Sequence, residues 1–306
     1  MRFDVTILGS SSATPIYNRN PTAQVININD RLYLIDCSEG TQQQMLRFDV
    51  KASRIDHIFI SHLHGDHYLG LIGLLSSLHL NGRKKPLQVF CPPQLKEIID
   101  LQFLYSDTSL YYPLEYIFTN ADKPEVILDN ADVTVETIPL DHGIACTGFL
   151  FREKKRQRKL IKDKIEKMNL PVEYYSQLKK GSDYVDPSGK VYKNDELTID
   201  SDEPRTYAYC SDTKYNEQYF EQIKDATLLY HEATFLNDML DRANETRHTT
   251  AAQAAEIALK TGAKKLLIGH FSARYKTLNE LLDEAQAIFP NTELAIEGRN
   301  YLIGVD

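Results

Sequence analysis

The stretch Ser61-His62-Leu63-His64-Gly65-Asp66-His67 limits the fold more than any other part of the chain. It crowds three imidazoles and a carboxylate into six positions, directly after the apolar run Ile58-Phe59-Ile60. Such a run reads as a buried strand, and the histidines follow where it ends. His62 and His64 are two apart, so on chain leaving a strand in extended form they point to one side and can grip one ion. Asp66 and His67 open the helical pattern Tyr68 to Leu75 and turn away from the first pair, which suits a second ion. Two neighbouring metals, about 3.5 to 4 Å apart, form a clamp for in-line displacement at phosphorus. Imidazole with carboxylate is a zinc-type donor set that also takes Mn2+ or Fe2+. The plain alternative, a histidine-rich surface turn, does not account for the further donors downstream.

Those donors recur at strand ends. Val133 to Ile138 reads as a strand running to Asp141-His142-Gly143, and His142 completes a three-histidine set with His62 and His64. Thr206 to Cys210 is followed by Ser211-Asp212-Thr213, where Asp212 can bridge two metals. Thr227 to Tyr230 leads into His231-Glu232-Ala233-Thr234, and Lys265 to Ile268 into Gly269-His270-Phe271-Ser272-Ala273-Arg274-Tyr275. His248-Thr249-Thr250 precedes a helix over 251–260 with a threonine cap. Earlier strands are read at 2–8, 23–28, 32–35 and 87–91, with Asn29-Asp30 as a hairpin turn and helices at 94–103 and 279–289. Arg19, in the irregular loop Thr14 to Pro21, is placed to meet a phosphate. Asp36, as a lone carboxylate, reads either as an orienting partner for a ligand or as a turn former.

The chain has 306 residues and lacks an apolar run of about 18, and its N-terminus enters a strand pattern at once. The expectation is a cytoplasmic protein with no membrane association. Cys37, Cys91, Cys146 and Cys210 are widely spaced and read as reduced core residues. A net charge of -8 counts, by itself, against a nucleic-acid partner. Its distribution reverses that inference. From Arg152 to Lys193 thirteen basic residues stand against six acidic ones, so the segment carries +7 and the remaining chain -15. Lys154, Lys155, Arg156, Arg158 and Lys159 open this segment. Ile161, Ile165 and Met168 give it a narrow apolar stripe that Pro171 ends, and a second short helix around Tyr174 to Lys180 ends at Gly181. So little apolar surface does not predict an independent core. The reading is an inserted basic arm, 152–193, protruding from a single domain of 1–306 and gripping RNA, with Tyr174 and Tyr175 available to stack. A merely solvated insertion is the alternative.

The series His62, His64, Asp66, His67, His142, Asp212 and His270 resembles the two-zinc metallo-β-lactamase superfamily, which implies an α/β fold, an αββα sandwich with the metals at one edge of two sheets. The runs His231 to Thr234, His248 to Thr250 and Gly269 to Tyr275, the loop Pro15 to Asn20 and the basic insertion narrow this to the ribonuclease Z family, tRNA 3′-end processing endoribonucleases. That resemblance implies two Zn2+ per chain: His62, His64 and His142 on one, Asp66, His67 and His270 on the other, with Asp212 between. It implies Asp66 as general base, His248 backed by Glu232 as the acid, Arg19, Arg274 and the arm residues Lys154 to Lys159 as substrate contacts, a tRNA precursor as substrate, and a homodimer in which one subunit's arm serves the other's site. Tyr17 stands where the family loop often has lysine, and Leu170 to Tyr174 where its arm commonly has a Gly-Pro-rich loop. A small-substrate hydrolase of the same fold and a non-catalytic RNA-binding module are the competing readings.

Overall fold

Two seven-stranded mixed sheets lie face to face in the computed structural model, which describes residues 2–16 and 19–304. Tyr17 lies outside the described residues. Across the first sheet the strands run Asn300–Leu302, Phe3–Gly9, Ala23–Ile28, Arg31–Ile35, Ile55–Phe59, Leu87–Cys91 and Leu114–Phe118. Across the second they run Thr292–Leu294, Leu266–Gly269, Leu228–Glu232, Thr206–Cys210, Cys146–Glu153, Val133–Leu140 and Val126–Asp129.

The side-chain period of two builds the layers. Phe3, Val5, Ile7, Tyr33 and Phe59 meet Phe149, Phe151, Tyr207, Tyr209 and Tyr230 between the sheets. Their neighbours Leu8, Leu34, Ile58 and Ile60 face the other way, onto Leu71, Leu74, Leu95 and Ile99 of the helices Leu71–Leu80 and Gln94–Tyr105. On the far side, Ala208, Leu229, Leu266 and Ile268 cover Ala254, Ala255 and Ala258 of helix Ala251–Thr261 and Leu281 of helix Asn279–Gln286. The outcome is the αββα sandwich, and burial on both faces explains why the strands read as apolar runs.

Phe59 shows how packing fixes the site. Its ring stacks on Phe90 at 4.4 Å and meets Phe149 and Phe151 edge-on at 5.3 Å. Full burial of such a side chain contributes about 1.5–3 kcal/mol. The end of the strand that leads into the histidine stretch is therefore anchored at the sandwich centre.

Asn29 and Asp30 both take positive φ, 50° and 67°, closing the hairpin between Ala23–Ile28 and Arg31–Ile35. The strand Cys146–Glu153, which carries the apolar run Phe149-Leu150-Phe151 and is not among the strands expected from sequence, lies beside Thr206–Cys210 with Arg152 opposite Thr206.

The chain divides into two compact units, 1–152 with 205–306, and Glu153–Pro204. The second unit departs from the expected arm in two respects. It has a core of its own, where Ile165, Leu170, Leu178, Tyr184 and Leu197 are buried and Tyr174, Tyr175 and Tyr192 partly so. Tyr174 packs edge-on against Tyr184 rather than standing free. The apolar residues beyond the two helices, Tyr184 and Leu197, complete what the narrow stripe lacks. The unit is also nearly neutral, because it includes Asp195, Glu196, Asp200, Asp202 and Glu203; its twelve basic and eleven acidic residues leave +1. Lys159–Leu160 pairs antiparallel with Thr198–Ile199, which brings Arg158 to Asp200 and Lys159 to within 3.1 Å of Asp202. Arg156 pairs with Glu153, Lys193 with Asp183, and the Lys164 ammonium reaches the Glu196 carbonyl.

Candidate metal centre

The donors converge because strand ends in both sheets deliver them to one place. His62 lies three residues beyond strand Ile55–Phe59, and His64 remains extended at φ −73°, ψ 144°. The short helix Gly65–Tyr68 then turns Asp66 and His67 inward. From the second sheet come His142, just after Val133–Leu140, Asp212 after Thr206–Cys210, and His270 after Leu266–Gly269. Asp36, Asp212 and His270 hold positive φ of 54°, 29° and 58°. Left-handed backbone at non-glycine residues costs about 1–3 kcal/mol and persists where the surroundings over-determine it. Here it bends the chain sharply enough to aim each side chain back across the sheet end.

Three overlapping donor groups form among the described residues. His62, His64, His142 and Asp212 make the first, Asp66, His67 and His270 the second, and Asp212, His248 and His270 a third that shares Asp212 with the first and His270 with the second. In the first, His64 Nδ1 is 3.1 Å from the Nε2 atoms of both His62 and His142, and Asp212 Oδ2 is 3.6 and 3.8 Å from those Nε2 atoms. In the second, Asp66 Oδ2 is 3.6 Å from the Nε2 atoms of His67 and His270. Asp212 Oδ1 reaches the same two nitrogens at 3.3 and 3.1 Å. One carboxylate thus presents an oxygen to each of these two groups. Tetrahedral donors about 2.0–2.1 Å from a zinc ion sit about 3.3 Å apart, so these spacings fit a divalent metal in each of the two. The Nε2 atoms of His67 and His270 are buried without a hydrogen-bond partner, an arrangement a metal would satisfy.

The second nitrogens of His62, His67, His142 and His270 are tied down, as suits metal-facing histidines. His67 Nδ1 donates to Asp36 Oδ2 at 2.8 Å, and Asp36 also accepts from Ser61 and from the Tyr209 hydroxyl. His142 Nδ1 donates to the Arg247 carbonyl, and His270 Nδ1 lies 3.0 Å from the Thr234 hydroxyl. Burial pushes the Asp212 carboxyl up, and the imidazoles of His270, His67 and His62 outweigh it, holding that group well below the usual carboxylate range. Beside the donors stands His248, whose Nδ1 donates to Glu232 Oε1 at 2.9 Å. Burial lowers its pKa, and the opposing Glu232 carboxylate raises it to about 9. Glu232 is fully buried and also accepts from the Thr213 amide.

Strand alternation sends His231 to the opposite face, where it bonds the Tyr219 hydroxyl at 2.9 Å, away from the donors. His57 stacks on Tyr33, and His79 accepts from the Tyr111 amide. The donors open into a cleft of about 540 Å³ lined by Ala13, Phe235, Arg242, Thr246 and Arg274 among others. Arg274 lies over the Phe235 ring on its wall. Arg19, expected to meet a phosphate, instead places its guanidinium 2.7 Å from the Tyr275 carbonyl. Sequence reasoning passed over Arg242 and gave Thr234, the last residue of the His231-to-Thr234 run, no role of its own; only the fold puts both at the site. Lys154 to Lys159 belong to the second unit.

The sequence model of the family described as Anti-Pycsar protein Apyc1 matches residues 3–154. A metallo-beta-lactamase fold protein, YhfI of Bacillus subtilis, superposes with a TM-score of 0.69 at 19% identity over 99% of this chain and all of its own. The sandwich and its histidine–aspartate clusters define a hydrolase of the metallo-β-lactamase fold. The human tRNase Z, short form, superposes with a TM-score of 0.72 at 26% identity, covering 99% of this chain and 100% of the other. The Ribonuclease Z of Bacteroides fragilis is 47% identical over 296 residues, 97% of each chain. This chain belongs to the ribonuclease Z family.

Proposed function

We propose that this site removes the 3′ trailer from tRNA precursors by attack of water on a phosphodiester, leaving a 3′-hydroxyl on the tRNA. Family membership supports the substrate, and the observation that carries the chemistry is the hydrogen-bonded His248–Glu232 pair standing beside two converged donor groups. His62, His64 and His142 would hold one zinc and Asp66, His67 and His270 a second, with Asp212 offering an oxygen to each group; Mn2+ or Fe2+ would be substitutes. Such metals, when bound, activate a water nucleophile and neutralise charge on the scissile phosphate. Asp66, steadied by the Ala13 amide at 2.7 Å, takes the proton of the attacking water. The new oxygen–phosphorus bond forms as the bond from phosphorus to the tRNA 3′-oxygen breaks. Glu232 orients His248 so that its other nitrogen gives a proton to that departing oxygen. Arg274, on the cleft wall, meets the phosphates flanking the cut.

The second unit positions the tRNA body. Lys155, Lys167, Lys179 and Lys180 have no carboxylate partner among the described residues and are the ones that meet phosphates. The enzyme works as a cytoplasmic homodimer in which this unit of one subunit serves the site of the other. Helix Gln94–Tyr105 supports a second copy by exposing Ile98, Leu101, Leu104 and Tyr105 together. Among the described residues no helix is long and apolar enough to cross a membrane.

The test incubates zinc-loaded protein with a 3′-extended tRNA precursor, beside Asp66→Ala, and maps the product ends. A single cut near the discriminator base, lost in Asp66→Ala, is expected. Failure to cut, with a small phosphodiester still hydrolysed, refutes the tRNA reading.

A further inference from the structure

Thr234 stands between the second donor group and the His248–Glu232 pair. Its hydroxyl oxygen lies 2.5 Å from Glu232 Oε2 and 3.0 Å from His270 Nδ1, with the His270 carbonyl also at 3.0 Å and His248 Nδ1 at 3.5 Å. The residue is 3% exposed, so water does not share these roles. A hydroxyl has one proton to donate and two lone pairs to offer. The charged carboxylate at the shortest distance takes the proton, since charge-assisted hydrogen bonds are the stronger ones. The side facing His270 Nδ1 can then only accept, which requires Nδ1–H. That choice of tautomer leaves His270 Nε2 bare, and Nε2 is the buried atom without a partner, facing Asp212 Oδ1 at 3.1 Å.

The other end of the chain of bonds matters as much. With Oε2 held by Thr234, Oε1 of Glu232 is left for His248 Nδ1 at 2.9 Å and the Thr213 amide at 2.7 Å. One buried hydroxyl therefore sets both a metal-facing imidazole and the carboxylate that aims His248. We infer that Thr234 is a positioning residue for trailer cleavage, which prepares His270 to bind the second metal and Glu232 to aim the leaving-group proton donor. This rests on the function proposed above, and its consequence is specific: one substitution damages two separable steps.

The experiment compares Thr234→Val, which keeps the shape and removes the hydroxyl, with Thr234→Ala and with Thr234→Ser, which restores it. Zinc affinity is measured by chelator competition, without substrate. Loss of a group that supports a metal-facing histidine costs about 10- to 100-fold in affinity. Thr234→Val and Thr234→Ala are expected to lose that much at one of two sites, and Thr234→Ser to recover it. At saturating zinc, kcat for the tRNA precursor falls about tenfold or more with little change in KM, because general-acid assistance is worth about 10²–10⁴. Bis(p-nitrophenyl) phosphate has a leaving group that departs without a proton, so its kcat at saturating zinc falls clearly less than that for the precursor. Equal loss on both substrates, unchanged zinc affinity, or a Thr234→Ser protein as impaired as Thr234→Val overturns the inference. Wild-type protein that leaves the precursor uncut refutes the tRNA reading instead, and the zinc measurement still tests the His270 half.

Discussion

Replacing Lys155, Lys167, Lys179 and Lys180 together by glutamine tests which charges of the second unit meet tRNA. These four have no carboxylate partner among the described residues, whereas Arg156, Arg158 and Lys159 face Glu153, Asp200 and Asp202. Each phosphate neutralised releases counterions and contributes about 0.7 to 0.9 to the slope of log affinity against log salt. Four contacts amount to a slope of about 3 to 3.6, or roughly 50- to 150-fold in affinity between 50 and 200 mM salt. Binding of fluorescent mature tRNA, the product, reads this without cleavage. The quadruple variant should flatten the slope by about that amount, and the triple variant Arg156→Gln, Arg158→Gln, Lys159→Gln by less than about 1. Small-phosphodiester hydrolysis should be unchanged in both. If the triple variant flattens the slope as much as the quadruple one, the reasoning from ion-pair compensation is wrong.

Asp212→Ala removes a carboxylate whose two oxygens serve both donor groups; metal analysis after dialysis should give clearly fewer metals per chain than the wild type, and an unchanged count would speak against the bridging role. Glu232→Gln removes the charge that raises the His248 pKa to about 9. Since the protonated form is the donor and is lost as the pH rises through that pKa, the alkaline limb of kcat should move to lower pH, and a limb that stays in place would show that Glu232 does not set it. Thr250 and Gln253 form a capping box on helix Ala251–Thr261, so Thr250→Ala should cost about 0.5–2 kcal/mol in urea unfolding.

The donors were legible because they come in short local patterns at strand ends, where a spacing of two or a turn into a helix decides direction. Their supports were not. Asp36 meets His67 only because strands Arg31–Ile35 and Ile55–Phe59 lie parallel, with Ile35 opposite Phe59, and pairing of that kind leaves no mark in the sequence near either residue. Thr234 likewise becomes central only when His248 and His270 arrive from separate elements. The charge of the insertion misled for a related reason. Its acidic residues 195–203 follow the basic run in sequence, and a count ending at Lys193 excludes the carboxylates that the antiparallel pairing of Lys159–Leu160 with Thr198–Ile199 brings back. The independent core was missed because Tyr184 and Leu197 belong to no helical stripe.

That pairing has an entropic consequence for the main body. The strands Cys146–Glu153 and Thr206–Cys210 are antiparallel neighbours, so the whole of Glu153–Pro204 occupies the position of a hairpin turn. A disordered connection of that length would make closing the hairpin about 3 kcal/mol harder than a two-residue turn. A folded insertion whose own ends run side by side, with the Ser201 hydroxyl on the Arg156 carbonyl, presents the sheet with a closure already made. The main body can therefore tolerate replacement or remodelling of the insertion over evolutionary time, provided its two stems stay zipped, without a matching change in the stability of the strand ends that carry the donors.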